Sequence, residues 1–496
     1  MKRFNQLCFF SLAAASMLGV SSCISDESVG VVNQLSYLSV NKTLAEEYKA
    51  DRWDTLRIAA PEVHQSNTTK PLSYRWEING KVVSTEKDLA YECKDYTKDK
   101  NNPFLCRLTI SNEDGSYFKT FKLHVQYRYR TGVYVLANDN GKSIISYIRP
   151  DSAKSVVERD LLSKNNAEVT FSDAPTAATI IDYYGKNDIF FAAGSPSQIY
   201  RLDGNTMQLV STAKAAGTVS YLYANKLGSL NNEQAGGKLT VIEDGDISDI
   251  KTSDLSLVVT SSTSRDVAIV LPNKNLAPAG FSWVDVGINN YTGLALYDNS
   301  KGFVVYAPDA KVSAKDNLQK TKLIYNEQFT GLQLLGMVPV NKNHDVALFL
   351  QDAAAGKYYH VWLYPGSYNA RVTRQNSEPE LKQAKIEVPA SAGFNAKTKF
   401  VASQSTNLVY YSSGNKVYAY SVLSKGNFPT TPDFTCGEGE EVAAMVLNAD
   451  ESELIVATNS TTSKQGSVYS FNLHTNKENW RYQNVTGNVI SLMFRK

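Results

Sequence analysis

Seven times between residues 132 and 473 the chain repeats one pattern: an apolar run, a polar turn, and a second run carrying an aliphatic–aromatic pair. "NLVYYSSGNKVYAYSV" (407–422) is the clearest copy, and "DIFFAAGSPSQIYRLDG" (188–204) and "ELIVATNSTTSKQGSVYSFNL" (453–473) match it. "DVALFLQDAAAGKYYHVWLYPG" (345–366), "GLALYDNSKGFVVYAPD" (293–309) and "GVYVLANDNGKSIISYIRPD" (132–151) follow, with "YLYANKLGSLNNEQAGGKLTVIEDG" (221–245) as a degenerate third copy. The anchors Ile145, Ile199, Leu239, Val304, Val361, Val417 and Val468 are spaced irregularly, about 54 residues apart on average. A hairpin period near 50 with few helical stretches points to a β-propeller, in which each repeat buries its faces only against its neighbours. Seven copies predict seven blades over residues 131–496. "NVISLMFRK" (488–496) is a lone strand placed to complete the first blade, which otherwise starts abruptly at Val133. Two stacked sandwiches or a jelly roll are the competing arrangement.

Residues 36–130 have a different grammar, short strands with a period of two. "LSYRWEING" puts Leu72, Tyr74 and Trp76 on one face, and Asn79-Gly80 turns the chain into "KVVS". Phe104, Cys106, Leu108 and Ile110 alternate in the same way, and after "NEDG" so does "YFKTFKLHV". About ninety residues of this kind around one Trp predict a two-sheet Ig/PKD-like β-sandwich. The phrases "YRWEING", "EKDLAY", "CRLTISNEDGSYFKTFKLHV" and "GVYVLANDNGKSIISYI", in this order, resemble the PKD-like lipoproteins of Bacteroidetes over residues 36–150. The resemblance implies a surface lipoprotein of the kind associated with SusC/SusD-type nutrient uptake, and no particular reaction. After Trp76 the chain reads Glu77-Ile78-Asn79-Gly80 where ordinary PKD domains have Asp-Phe-Gly-Asp-Gly, so no calcium role is carried over.

The first residues give an address. Lys2 and Arg3 precede an apolar stretch from Leu7 to Val20, the build of a secretory signal and too short for a comfortable bilayer span. Val20-Ser21-Ser22-Cys23 resembles the bacterial lipobox, which makes residues 1–22 a signal peptide and Cys23 the lipid anchor of the outer membrane. "ISDES" after it resembles the acidic tag that sends such lipoproteins to the cell exterior, with residues 23–35 as a tether. Loss of residues 1–22 removes two cations and no acid, so the formal charge falls from +2 to 0. Without clustered Lys and Arg, nucleic acid is not an expected partner. In an oxidising envelope compartment Cys93 and Cys106 are expected to form a disulfide, closing a loop of about fourteen residues and adding about 3 kcal/mol. Cys436 is left without a partner and reads as a half-buried thiol.

Motifs for chemistry are scarce. The five histidines (64, 124, 344, 360 and 474) show no zinc spacing. "NGKS" (140–143) lacks the earlier glycine and following helix of a phosphate loop, and reads as a hairpin turn. "EDGDISDIKTSD" (243–254) has Asp249 where an EF-hand needs Gly and Leu255 where it needs Glu, and reads as a solvated turn. No G-x-S-x-G elbow occurs. The reading therefore has no catalytic residue, metal site or cofactor. Aromatic residues are abundant, with 29 Tyr, and aromatic faces stack on sugars and peptide side chains. Trp283 and Tyr291 in "FSWVDVGINNYTG", and Tyr183-Tyr184 before "GKND", lie near expected loops and are the candidate ligand-binding residues; packing between blades is their alternative use. These features favour a non-catalytic glycan- or peptide-binding or accessory subunit. A propeller hydrolase or lyase, and a purely structural docking subunit, are the competing functions.

Overall fold

The computed structural model describes residues 35–495 apart from 68, 98–101, 151–154, 184–185, 226–237, 245, 252–254, 256–281, 286–291, 301, 307–320, 325, 343–344, 366, 370–373 and 378–379. The chain divides into two compact units, Met1–Val125 and Gln126–Lys496. Both are built of strands, and the single α-helix among the described residues is Leu161–Asn165. No described helix is long and apolar enough to cross a membrane.

In the first unit a five-stranded antiparallel sheet runs in the order Glu47–Asp51, Ser116–Gln126, Phe104–Ser111, Ser73–Ile78, Lys81–Ser84. Two smaller pairs, Leu38–Val40 with Val63–Gln65 and Thr55–Ile58 with Leu89–Glu92, complete it. Asn79 and Gly80 both take positive φ (48° and 76°), as the two-residue hairpin turn requires. The alternation delivers Trp76, Cys106, Leu108, Ile110, Phe121 and Leu123 to one core. Trp76 satisfies its indole N–H on the carbonyl of Glu86, 3.1 Å away.

The expected Cys93–Cys106 disulfide is not formed; both residues are free, buried thiols. Each points to the carbonyl two residues before it, Cys93 to Tyr91 and Cys106 to Phe104. Burial pushes both thiols up, Cys106 to about 12. Cys436 is buried rather than half-buried, and burial likewise pushes its thiol up.

In the second unit seven larger antiparallel sheets are described, with one two-stranded pair, Ser367–Asn369 with Arg374–Ser377, beside them. Sheet 1 orders Val156–Glu158, Lys142–Arg149, Gly132–Asp139 and Asn488–Arg495. Sheet 2 is Pro175–Tyr183, Lys186–Ala193, Gln198–Asp203 and Leu209–Lys214. Sheet 3 has three described strands, Val219–Asn225, Lys238–Glu243 and Asp246–Lys251. Sheet 4 is Ser282–Asp285, Thr292–Asp298, Gly302–Tyr306 and Thr321–Ile324. Sheet 5 is Gln333–Val340, Asp345–Asp352, Lys357–Tyr364 and Glu380–Glu387, and sheet 6 is Phe400–Ala402, Leu408–Ser413, Lys416–Ser421 and Phe434–Thr435. Sheet 7 is Glu440–Leu447, Glu453–Ser460, Gly466–Asn472 and Lys477–Thr486. This succession of up-and-down sheets is propeller-like.

Packing explains why the repeats read as apolar runs rather than as alternations: sheets 1, 2, 5, 6 and 7 are each buried on both faces. Ile189 and Phe191 of sheet 2 join Leu136 and Ile145 of sheet 1, while the intervening Phe190 and Ala192 join Leu239 and Val241 of sheet 3. Leu348 and Leu350 of sheet 5 meet Tyr297 of sheet 4, and Ala347 and Phe349 meet Val409 and Tyr411 of sheet 6. Tyr410 joins Leu454 and Val456 of sheet 7, whose Ile455 and Ala457 return to Val133 and Val135 of sheet 1. Asn488–Arg495 lies antiparallel beside Gly132–Asp139, pairing Phe494 with Val133 and Leu492 with Val135. The copy at 221–245 differs from expectation: its hairpin joins the first and second strands of sheet 3, not the second and third as in the other copies. Leu239 is thus one strand early, which accounts for the uneven spacing of the anchors.

Sheets 5 and 6 come closest at Gly336, where an added Cβ would run into the ring of Phe400. That ring stacks on Phe349 at 4.2 Å and has little room to retreat. Gly336→Val is therefore expected to cost about 1–3 kcal/mol and lower the thermal midpoint. Gly115→Ala, which meets nothing within 4 Å, should leave the midpoint unchanged in the same denaturation experiment.

Candidate functional site

Sheets 2 to 7 each connect their first strand to their second at one end and their second to their third at the other. At the first of these ends a polar ledge crosses sheets 5, 6 and 7. Asn341, at φ 56° after the first strand of sheet 5, donates its backbone N–H to the Ser403 carbonyl of sheet 6 (3.1 Å). Its side-chain amide donates to Asp345 Oδ2 and Asn407 Oδ1, both at 3.0 Å. Trp362 reaches the same carboxylate oxygen of Asp345 with its indole N–H at 3.1 Å. Asp345 is 2% exposed, and its other oxygen, Oδ1, has no hydrogen-bond partner.

The ledge continues through the connection of sheet 6. Glu451, at φ 56° in the turn of sheet 7, accepts the hydroxyls of Ser403 (2.6 Å) and Ser405 and the backbone N–H groups of Gln404 (2.5 Å) and Ser405 (3.2 Å). Burial works against its charge, yet the two hydroxyls and two amides hold its carboxyl below the usual range. Short Asn, Ser, Asp and Glu side chains suit this work because they bond neighbouring backbone and tolerate tight turns. In sequence they are indistinguishable from ordinary turn residues, which is why Asn341, Asp345, Asn407 and Glu451 escaped nomination.

Tyr183 ends the first strand of sheet 2, opposite Lys186, and Tyr184 lies outside the described residues. Trp283 is in the first strand of sheet 4, opposite Leu294, and Tyr291 lies outside the described residues. Tyr183 and Trp283 thus both lie on the first strand of their sheets. Cys23 also lies outside the described residues. Asn140-Gly141 forms a turn at the opposite end, with φ 55° and 90°. In "EDGD" the acids serve as turn acceptors: Glu243 takes the amides of Ala216 and Gly217, and Asp244 that of Thr218. Among the described residues no group of three or more His, Cys, Asp or Glu could hold a metal ion.

His360, on the third strand of sheet 5, is fully buried between sheets 5 and 6. Its ring stacks on Phe349 at 5.0 Å and meets Tyr420 and Phe428 edge-on. Nδ1 lies 3.0 Å from the Gln383 amide and 3.4 Å from the Tyr420 hydroxyl, while Nε2 has no partner. Burial draws its pKa down to about 3.

Residues 31–173 match the PKD-like family, a span that continues past Val125 into the first strands of the second unit. No curated protein matches the chain. Among solved structures, a quinonprotein alcohol dehydrogenase-like protein from Bacteroides thetaiotaomicron VPI-5482 is similar, at 18% identity and a TM-score of 0.47, over 93% of this chain and 99% of that one. The Dos1 propeller aligns at 9% identity and a TM-score of 0.40, over 72% of this chain and 86% of its own. BamB from Moraxella catarrhalis aligns at 10% identity and a TM-score of 0.30, over 71% and 90%.

Two outcomes follow from these groups. Glu451→Ala strands two hydroxyls and two amides, and should cost about 1–3 kcal/mol and speed amide exchange at Gln404 and Ser405. His360 takes a proton near pH 6.5 when unfolded but only near 3 when folded, so its contribution is complete above pH 6.5 and declines as pH falls below it. The loss approaches about 1.4 kcal/mol per pH unit. Thermal melts between pH 7.5 and 4.5 should show a flatter dependence for His360→Phe than for the wild type.

Proposed function

We propose that the protein is a lipid-anchored subunit of a SusC/SusD-type nutrient-uptake complex at the outer face of the outer membrane, binding a glycan or peptide without transforming it. The repeat supports seven blades, closed by Asn488–Arg495, with the sandwich as a spacer beside the membrane. One observation carries the binding reading: the connections between first and second strands of sheets 5 to 7 are joined into one polar ledge, and the aromatic candidates Tyr183, Tyr184, Trp283 and Tyr291 are taken to add the stacking surface. Turns that link three sheets through side-chain bonds provide a rigid rim for recognition. The lipobox-like run ending at Cys23 supports the anchor, and the PKD-like match is consistent with the family reading that suggested the uptake complex.

Calorimetry of the protein against neutral glycan and peptide panels tests the binding. One panel should give saturable heat that Trp283→Ala or Tyr291→Ala weakens; silence from both overturns direct capture. Cys23→Ser should move the protein from the membrane fraction to the soluble fraction, and unchanged membrane retention would remove the anchor.

A further inference from the structure

The turn between Glu47–Asp51 and Thr55–Ile58 in the first unit holds an unusual residue for its backbone. Trp53 takes φ 71°, a left-handed conformation that disfavours bulky side chains. The turn is clamped from both sides: Trp53 N–H donates to the Cys93 carbonyl at 2.8 Å, and Cys93 N–H donates to the Asp54 carbonyl at 2.9 Å. A glycine or asparagine would fit this conformation with less strain. The tryptophan also gains little from packing, since it is 56% exposed. Strain retained at an exposed aromatic, with no burial to offset it, is a mark of use.

Its neighbours fit that use. The Arg52 guanidinium lies over the Trp53 ring at 4.6 Å and over the half-buried Tyr96 ring at 5.6 Å. Arg52 Nε donates to the Lys94 carbonyl at 2.8 Å, which fixes the group in place. Its two terminal nitrogens make no hydrogen bond or ion pair with any described residue. The site therefore holds a preorganised cation on one side of an indole, unspent donors beside it, and open aromatic surface.

We infer that Trp53, Arg52 and Tyr96 form a docking platform for a neutral saccharide. The apolar face of a pyranose ring stacks on the open indole, and the free guanidinium nitrogens donate to its hydroxyls. Asp51, Asp54 and Asp95 lie beside Arg52, Trp53 and Tyr96 in the chain, and a neutral sugar brings no like charge up to them. This deepens the glycan arm of the proposed function, yet rests on residues of a different unit from the ledge.

Affinity electrophoresis of the intact protein in gels containing xylan, mannan, β-glucan or polygalacturonate tests it. A neutral polysaccharide should retard the wild type, and Trp53→Ala should weaken that binding by about tenfold or more. Trp53→Phe should retain part of the binding, and Arg52→Gln should weaken it without changing the thermal midpoint. Retardation equal in Trp53→Ala and wild type, retardation by polygalacturonate alone, or none by any neutral polysaccharide would overturn the platform. Binding lost in Trp283→Ala but kept in Trp53→Ala also overturns it and leaves the uptake reading standing, as does peptide binding in calorimetry without glycan binding.

Discussion

Burial of sheets 1, 2, 5, 6 and 7 on both faces is the constraint on which the second unit depends. A sheet with apolar residues on alternate sides cannot stop at an edge without exposing one of its cores, so each sheet needs a neighbour on either side. The last pair in the succession is resolved by chemistry rather than by sequence order. Ile455 and Ala457 of sheet 7 share a core with Val133 and Val135 of sheet 1, whose edge strand beside the first strands of sheets 7 and 2 is supplied from residues 488–495. Arg495, 2% exposed, anchors that strand by donating to the Gly204 carbonyl at 2.7 Å and to Asn205 Oδ1 at 3.0 Å in sheet 2. Residues 488–495 thus tie three sheets together with one strand, and the Arg495–Gly204 hydrogen bond is buried where water cannot compete.

Legibility in the sequence followed the range of the interaction. Asn79-Gly80 and Asn140-Gly141 announced their turns because positive φ is a local demand that few residues meet. The pairing of residues 488–495 with 132–139 was also readable, since a lone apolar strand at one end matched a missing strand at the other. Sheet 3 was misaligned by one strand because first and second strands are as apolar as second and third, so a hairpin alone does not say which pair it is. The ledge was invisible for another reason: Asn341, Asn407 and Glu451 lie far apart in the chain, and each is a commonplace turn residue. Trp53 was unreadable too, because "DRWDT" gives no sign of a left-handed backbone.

The two cysteines expected to pair share one core in the structure without a bridge between them. Adjacent burial in one core is necessary for a bridge, but each sulfur here is turned toward a carbonyl of its own segment. Trp76, Leu108 and Phe121 fill the same core, so the first unit is held by ordinary packing with the two thiols as small apolar residues.

What the described acids are doing bears on the choice between binding and turnover. A carboxylate acting as acid, base or nucleophile must present an oxygen to the reacting group. Glu451 gives its oxygens to four donors, and Glu440 gives its own to Thr458, Ser467 and Tyr469. Glu77 is held between Arg75 and Arg107, and Glu158 between Arg128, Lys164 and Tyr129. Asp345 keeps one oxygen unshared, but it is buried behind Asn341 and Trp362 rather than turned to solvent. These carboxylates stiffen turns and join sheets. The exposed indole of Trp53 and the Arg52 guanidinium, whose terminal nitrogens meet no described partner, keep unspent capacity at the surface.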